Sequence, residues 1–258
     1  MDYLQAAVNV IRKQGISITP IRIEVDSNLP PRAGLASSAA VTVAAVGALA
    51  QFYRLDLPVD RICQLAYLVE SSELLTGAGQ MDFYVTGLGG FLYIDSFKTP
   101  PDCIEPFRFP PSLGIVISNT GKPRATSDVI RAKRARMAAG EPGILSYVAG
   151  TEKAIQRMRI VLARDNIDTK EFGELVTSCH TYLDAYMRVS TDLLNACVSA
   201  CIRNGAVGAK LTGTGLGGCM FAIVPKFAIP LILRSLSTYS VDVHVTEISR
   251  RGLETHER

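Results

Sequence analysis

The chain has 258 residues, 48% of them apolar and 20% charged, enough for one large or two small globular domains with a substantial core. A formal net charge of +3 suits anionic small molecules but is too weak to argue for nucleic acid, and no basic face interleaved with aromatics occurs. The six cysteines form no CxxC pair, which argues against a zinc or redox motif and for reduced thiols in the cytoplasm. No signal-peptide pattern opens the chain, and no apolar run is long enough to span a membrane.

Apolar residues at Leu4, Ala7, Val8 and Ile11 predict an amphipathic helix over residues 2–13. Alternation after Pro20 predicts a strand over 21–25. Residues 30–46 then read PPRAGLASSAAVTVAAV. The two prolines hold the approach extended, Gly34 frees the backbone, and Ser37 and Ser38 are expected to cap a helix over 39–50. A helix start lined by small side chains can hold phosphate, because its N–H groups are free and carry partial positive charge. Alone, the stretch reads equally well as a tightly packed core helix. A second helix is predicted over 59–70, with Leu65, Ala66 and Val69 facing inward. The glycine-rich stretch 77–90 carries Asp82, and 91–94 reads as a short strand.

Five prolines within 97–111 mark a boundary, so domains are expected over 1–111 and 112–258. Beyond it, 113–118 reads as strand, 125–164 as mostly helix and 171–204 as helix. Cys197 and Cys201 share a face of that last helix as core residues. Residues 210–224 read as strand, glycine turn and strand, and 241–248 as a final strand. The polar end from 249 to 258 is expected to fray. The irregular alternation of elements predicts an α+β fold.

The letters of a dinucleotide GxGxxG occur at Gly213, Gly215 and Gly218. That fingerprint needs a helix after it, and the residues that follow here, CMFAIV, read as strand. A GxxxxGK[ST] phosphate loop is also absent. Phosphoryl transfer needs a phosphate cradle, Mg²⁺ ligands and an acid near the attacking hydroxyl. Glu70 and a serine suit Mg²⁺, and a buried Asp82 among glycines could orient or deprotonate an alcohol. Taken singly, Asp82 is as readily a turn residue and Glu70 a solvated helix charge.

Three stretches taken together resemble the GHMP kinases. PPRAGLASSAA resembles that family's phosphate loop, GQMD followed by GLGG resembles the segment bearing its catalytic aspartate, and KLTGTGLGGC resembles its third motif. The resemblance runs from the first helix to the last strand. It implies two α+β domains, the second ferredoxin-like, and an ATP-dependent kinase of a small alcohol. It further implies that Arg32, Ala33, Gly34, Leu35, Ala36, Ser37, Ser38 and Ala39 hold the ATP phosphates. Ser38 and Glu70 would bind Mg²⁺, and Asp82 would act on the acceptor hydroxyl. Arg124, Thr126, Gly213, Gly215 and Gly217 would line the substrate side. Within the family, residues 119–130 and 172–215 resemble the branch that phosphorylates mevalonate, whereas GQMD resembles galactose and heptose kinases. A non-catalytic nucleotide-binding protein of the same fold is the reading from a different class.

One departure stands out. The family opens with a P-G-R-x-x-L-x-G-E-H type stretch, and nothing resembling it occurs here. Lys13 is a poor substitute for the basic residue that several members place beside the catalytic aspartate. The strand at 21–25 would then belong to a sheet without its earlier strands, leaving a bare apolar edge. The expectation is a chain that starts late, binds MgATP weakly, shows little or no kinase activity and pairs as a homodimer, or aggregates, through that face.

Overall fold

The computed structural model describes residues 2–96, 98, 103–122 and 126–256, and leaves out the side chains of 126 and 127. The chain divides into two compact units. One comprises Met1–Pro30, Ala36–Phe107 and Ile248–Arg258; the other comprises Pro31–Leu35 and Arg108–Glu247.

In the first unit, α1 (Tyr3–Arg12) begins where the Asp2 carboxylate accepts the Gln5 N–H at 2.7 Å. It buries Ala6, Ala7, Val10 and Ile11 against α2 (Ser37–Phe52). Ala39, Val43, Val46 and Leu49 of α2 are all buried, and its small side chains let the neighbouring helices pack close. The serines do not cap this helix. The cap position falls on Ala36, left-handed at φ 54, and the serines are the first two helical residues. α3 (Val59–Leu68) places Leu65 and Ala66 at zero exposure and runs straight into a π-helical turn, Val69–Glu73. The glycine-rich stretch yields a further helix, α4 (Met81–Leu88), which inserts Phe83 and Tyr84 into the core. β1 (Phe91–Ile94) pairs antiparallel with β2 (Ile104–Phe107), Phe91 opposite Phe107. β2 hides in the proline-rich stretch because an edge strand tolerates Pro106.

Two further expectations fail in this unit. Residues 21–25 form no strand. Exposure alternates over Ile16–Thr19 and again over Ile21–Glu24, isoleucines inward, yet among the described residues no backbone-to-backbone hydrogen bond joins this stretch to another segment. The alternation is that of a strand, and the ladder that would define one is missing. The polar end does not fray over residues 249–253 either. The Leu253 N–H donates to Gly87 O at 2.8 Å and the Gly90 N–H to Ser249 O at 2.7 Å. A Cβ on Gly252 would sit 2.0 Å from Gly87 O, so glycine is what permits this approach.

The second unit is built on a four-stranded antiparallel sheet. Its strands are β3 (Leu113–Asn119), β4 (Gly208–Leu211), β5 (Cys219–Pro225) and β6 (Asp242–Thr246), in the spatial order β4-β5-β3-β6. Between β3 and β4 run α5 (Thr126–Ala138), α6 (Pro142–Leu162) and α7 (Thr169–Tyr182). A π-helical turn, Leu183–Met187, and α8 (Asp192–Arg203) follow. α9 (Ile229–Leu236) joins β5 to β6. The result is the βαββαβ order of a ferredoxin-like layer, enlarged in its first crossover. Val116, Leu194, Cys197, Cys201, Leu211 and Met220 lie at zero exposure in its core. All six cysteines are free and buried.

Candidate active site

The left-handed cap at Ala36 leaves the first turn of α2 open. The Ala40 N–H reaches Ala36 O at 2.9 Å, while among the described residues no protein acceptor meets the N–H groups of Ser37, Ser38 and Ala39. A helix start in that state is an anion site in waiting. Beside it lies the Glu70 side chain, carried by the π-helical turn and only 3% exposed. Thr76 Oγ1 donates to Glu70 Oε2 at 3.2 Å, and the Ser38 hydroxyl lies close enough to lower the pKa of the same carboxyl. Glu70 Oε1 is buried with no protein partner.

Burial raises the pKa of Glu70 above its ordinary value, the Ser38 and Thr76 hydrogen bonds oppose that rise, and the nearby charge of Asp82 adds to it. Asp82 stands in the first turn of α4 and is exposed rather than buried. Glu73 is engaged elsewhere: Lys13 Nζ meets its Oε1 at 2.5 Å and holds its pKa down. Lys13 is thereby paired with Glu73 and not with Glu70. Ser38, Glu70 and Asp82, far apart in sequence, are thus neighbours in the first unit.

No cluster of three or more His, Cys, Asp or Glu side chains fit to hold a metal occurs among the described residues. Mg²⁺ does not require one, since it commonly takes one or two carboxylates and completes its shell with phosphate and water. An orphaned carboxylate oxygen beside a serine at an open helix start fits that requirement.

The second unit holds the front of the first motif, residues 31–35, and the whole of the third. Arg32 and Gly34 are left-handed at φ 56 and 89, with Ala33 between them and Leu35 after them at negative φ. Such alternation turns successive N–H groups toward one side. The Cys219 N–H donates to Ala33 O at 2.9 Å, tying residues 31–35 to the start of β5.

Between β4 and β5 lies the glycine turn, with Gly213, Gly215, Gly217 and Gly218 all at positive φ. Each contact explains a glycine. A Cβ on Gly215 would come within 2.3 Å of Val189 O, and one on Gly217 within 2.8 Å of Lys122 O. The Leu216 N–H donates to Val189 O at 2.6 Å, and the Gly218 N–H to Lys122 O at 2.9 Å. Thr214 Oγ1 is buried in the turn without a partner. Arg124 lies outside the described residues, and Thr126 opens α5 with its side chain likewise outside.

Sequence reasoning passed over Thr76 and Thr214. The signal for Thr76 was its place one residue before Gly77, where a turn brings a hydroxyl back onto the preceding helix. For Thr214 it was a lone hydroxyl among glycines.

Residues 2–90 match the family described as GHMP kinases N terminal domain, and residues 153–241 match GHMP kinases C terminal. The mevalonate kinase of Thermococcus gammatolerans is 33% identical over 266 residues, covering 100% of this chain and 75% of that protein. Among solved structures, the Methanococcus jannaschii mevalonate kinase superposes with a TM-score of 0.76 at 25% identity, over 96% of this chain and 75% of the other. Lactococcus lactis galactokinase complexed with galactose gives 0.78 at 20% identity, over 97% and 75%. No helix among the described residues is long and apolar enough to cross a membrane.

Proposed function

This chain belongs to the GHMP kinase family and is an ATP-dependent phosphotransferase with an alcohol acceptor; on that premise we propose that its acceptor is mevalonate and that Ser38, Glu70 and Asp82 carry the chemistry. The acceptor reading is supported by mevalonate kinases about a third identical over the whole chain. The chemical reading is carried by one observation: the buried, unpartnered Oε1 of Glu70 beside Ser38 at the open start of α2.

In this reading the free N–H groups of residues 37–39 bind phosphate oxygens. Glu70 and Ser38 hold Mg²⁺, which when bound offsets phosphate charge. Asp82 orients the acceptor hydroxyl and takes its proton as the oxygen attacks the γ-phosphorus. The bond from that phosphorus to the bridging oxygen breaks, and ADP departs with the electron pair. In the second unit, the backbone of residues 31–35 and the glycine turn, with Arg124, Thr126 and Thr214, serve phosphate and acceptor. We place the protein in the cytoplasm, a reading supported by its six free thiols.

The test is ATP-dependent phosphorylation of mevalonate, galactose, a heptose and homoserine by the purified chain. Mevalonate is expected to be turned over with the highest kcat/KM. A sugar preferred over mevalonate would move the protein to the galactokinase side of the family.

A further inference from the structure

A polar chain, buried at His180 and reaching the surface at Asp184, runs behind the glycine turn, within the second unit, and the site described above does not use it. His180, near the end of α7, is 6% exposed. Its Nε2 lies 3.1 Å from Asn195 Oδ1 on α8, and its Nδ1 faces the N–H of Leu211, the last residue of β4, at 3.4 Å. Asn195 Nδ2 donates to Asp184 Oδ1 at 3.2 Å, and Ser190 Oγ donates to Asn195 Oδ1 at 2.6 Å.

The proton positions follow from this order. A carboxylate only accepts, so the Asn195 amide must turn its NH₂ to Asp184 and its oxygen to His180. His180 must then carry its proton on Nε2, and its Nδ1 lone pair receives the Leu211 N–H. Both ends of the chain bear on the glycine turn. Leu211 leads into it, and Val189, next to Ser190, accepts the Leu216 N–H at its tip.

We infer that His180 is a positioning residue: as the neutral Nε2–H tautomer it ties the end of β4 to residues 189–190 and so fixes the turn 212–218 for phosphoryl transfer. This rests on the kinase reading above. Charging the ring would set an Nδ1 proton against the Leu211 N–H and loosen the turn. The ionisable groups around the ring are Asp184 on the π-helical turn, Lys210 on β4 and Cys179 beside it on α7, with Tyr147 of α6 next to Cys179. Burial lowers the His180 pKa below the ordinary 6.5, the Asn195 bond and Asp184 oppose this, and Lys210 adds to it. The neutral form is therefore complete above that value and is lost as the pH falls below it toward the depressed value.

His180→Gln tests the role, because a glutamine can donate to Asn195 and accept from Leu211 without titrating. His180→Leu can do neither. Nitrogen-15 spectra of the imidazole should show a neutral Nε2–H ring at pH 7. Amide-exchange protection of Leu211 and Leu216, corrected for intrinsic rate, should fall on acidification in the parent protein and persist in His180→Gln. His180→Leu should lack that protection at every pH and lose kcat by about 10–100-fold, the cost of a small misplacement of reacting groups. His180→Gln should keep most of kcat, with its acid limb moved to lower pH.

An Nδ1–H or charged ring at pH 7, or identical protection profiles in the parent and His180→Gln, would overturn the inference. That comparison also decides the matter if His180→Leu does not fold. Because the spectra and the exchange need no acceptor, absent mevalonate turnover would count against the acceptor reading alone.

Discussion

Taking the Glu70 carboxylate out of water raises its affinity for a proton, and the sign of the consequence can be worked out. Below the ordinary carboxylate value of 4.5 the residue is protonated in both folded and unfolded chains and contributes nothing to the balance. As the pH rises from there through the raised folded value, the unfolded chain ionises freely while the folded one must hold a buried charge, so stability falls. Glu70→Gln removes that charge. Its melting temperature at pH 7 should exceed the parent's by about 2–4 °C for each ~1 kcal/mol of penalty relieved, and the difference should shrink toward pH 4.5. MgATP affinity should fall in the same variant. Calorimetry across pH with nucleotide titration checks both, and a lower melting temperature together with unchanged affinity would make Glu70 an ordinary core acid. Glu70 was legible as a candidate from motif resemblance. Its burial was not, because a π-helical turn rotates the side chains beyond α3 away from the spacing that helical periodicity assumes.

Elements were legible where a single period governs them. α1, α3 and the β4–β5 hairpin follow their apolar spacing, and the strand after the glycine turn is what ruled out a dinucleotide fold. α4 was hidden because its glycine-rich flanks read as loop, although Phe83 and Tyr84 form an inward pair. Residues 21–24 kept the alternation of a strand without a backbone partner among the described residues, which a local pattern cannot foresee. The docked end was missed for a different reason: its polar composition hides one apolar anchor. Leu253 packs onto Gly47 of α2 while Gly252 lies against Gly87 of α4. Gly252→Ala should therefore free this segment and cost about 1–3 kcal/mol, the range for a backbone clash with no room to relax. Denaturant melts and amide exchange at Gly90 and Leu253 would register the loss. An unchanged midpoint would mean that the end contributes nothing to the first unit.

For the molecule as a whole, three sequence motifs resolve into two sets, each built by its own unit. The open start of α2, Glu70 and Asp82 belong to the first; residues 31–35 and the glycine turn belong to the second. The family supplies the reaction class, and in the proposed division of labour Asp82 alone handles the acceptor proton. Phosphorus-31 spectroscopy of the purified chain with MgATP and mevalonate, run beside Asp82→Asn, tests that division most directly. The account predicts a phosphomonoester signal that requires mevalonate and falls by ~10²–10⁴-fold in Asp82→Asn, the range for a positioned acid or base, with MgATP affinity retained. ATP consumption indifferent to mevalonate, or an Asp82→Asn protein that forms the ester at the parent rate, would contradict it.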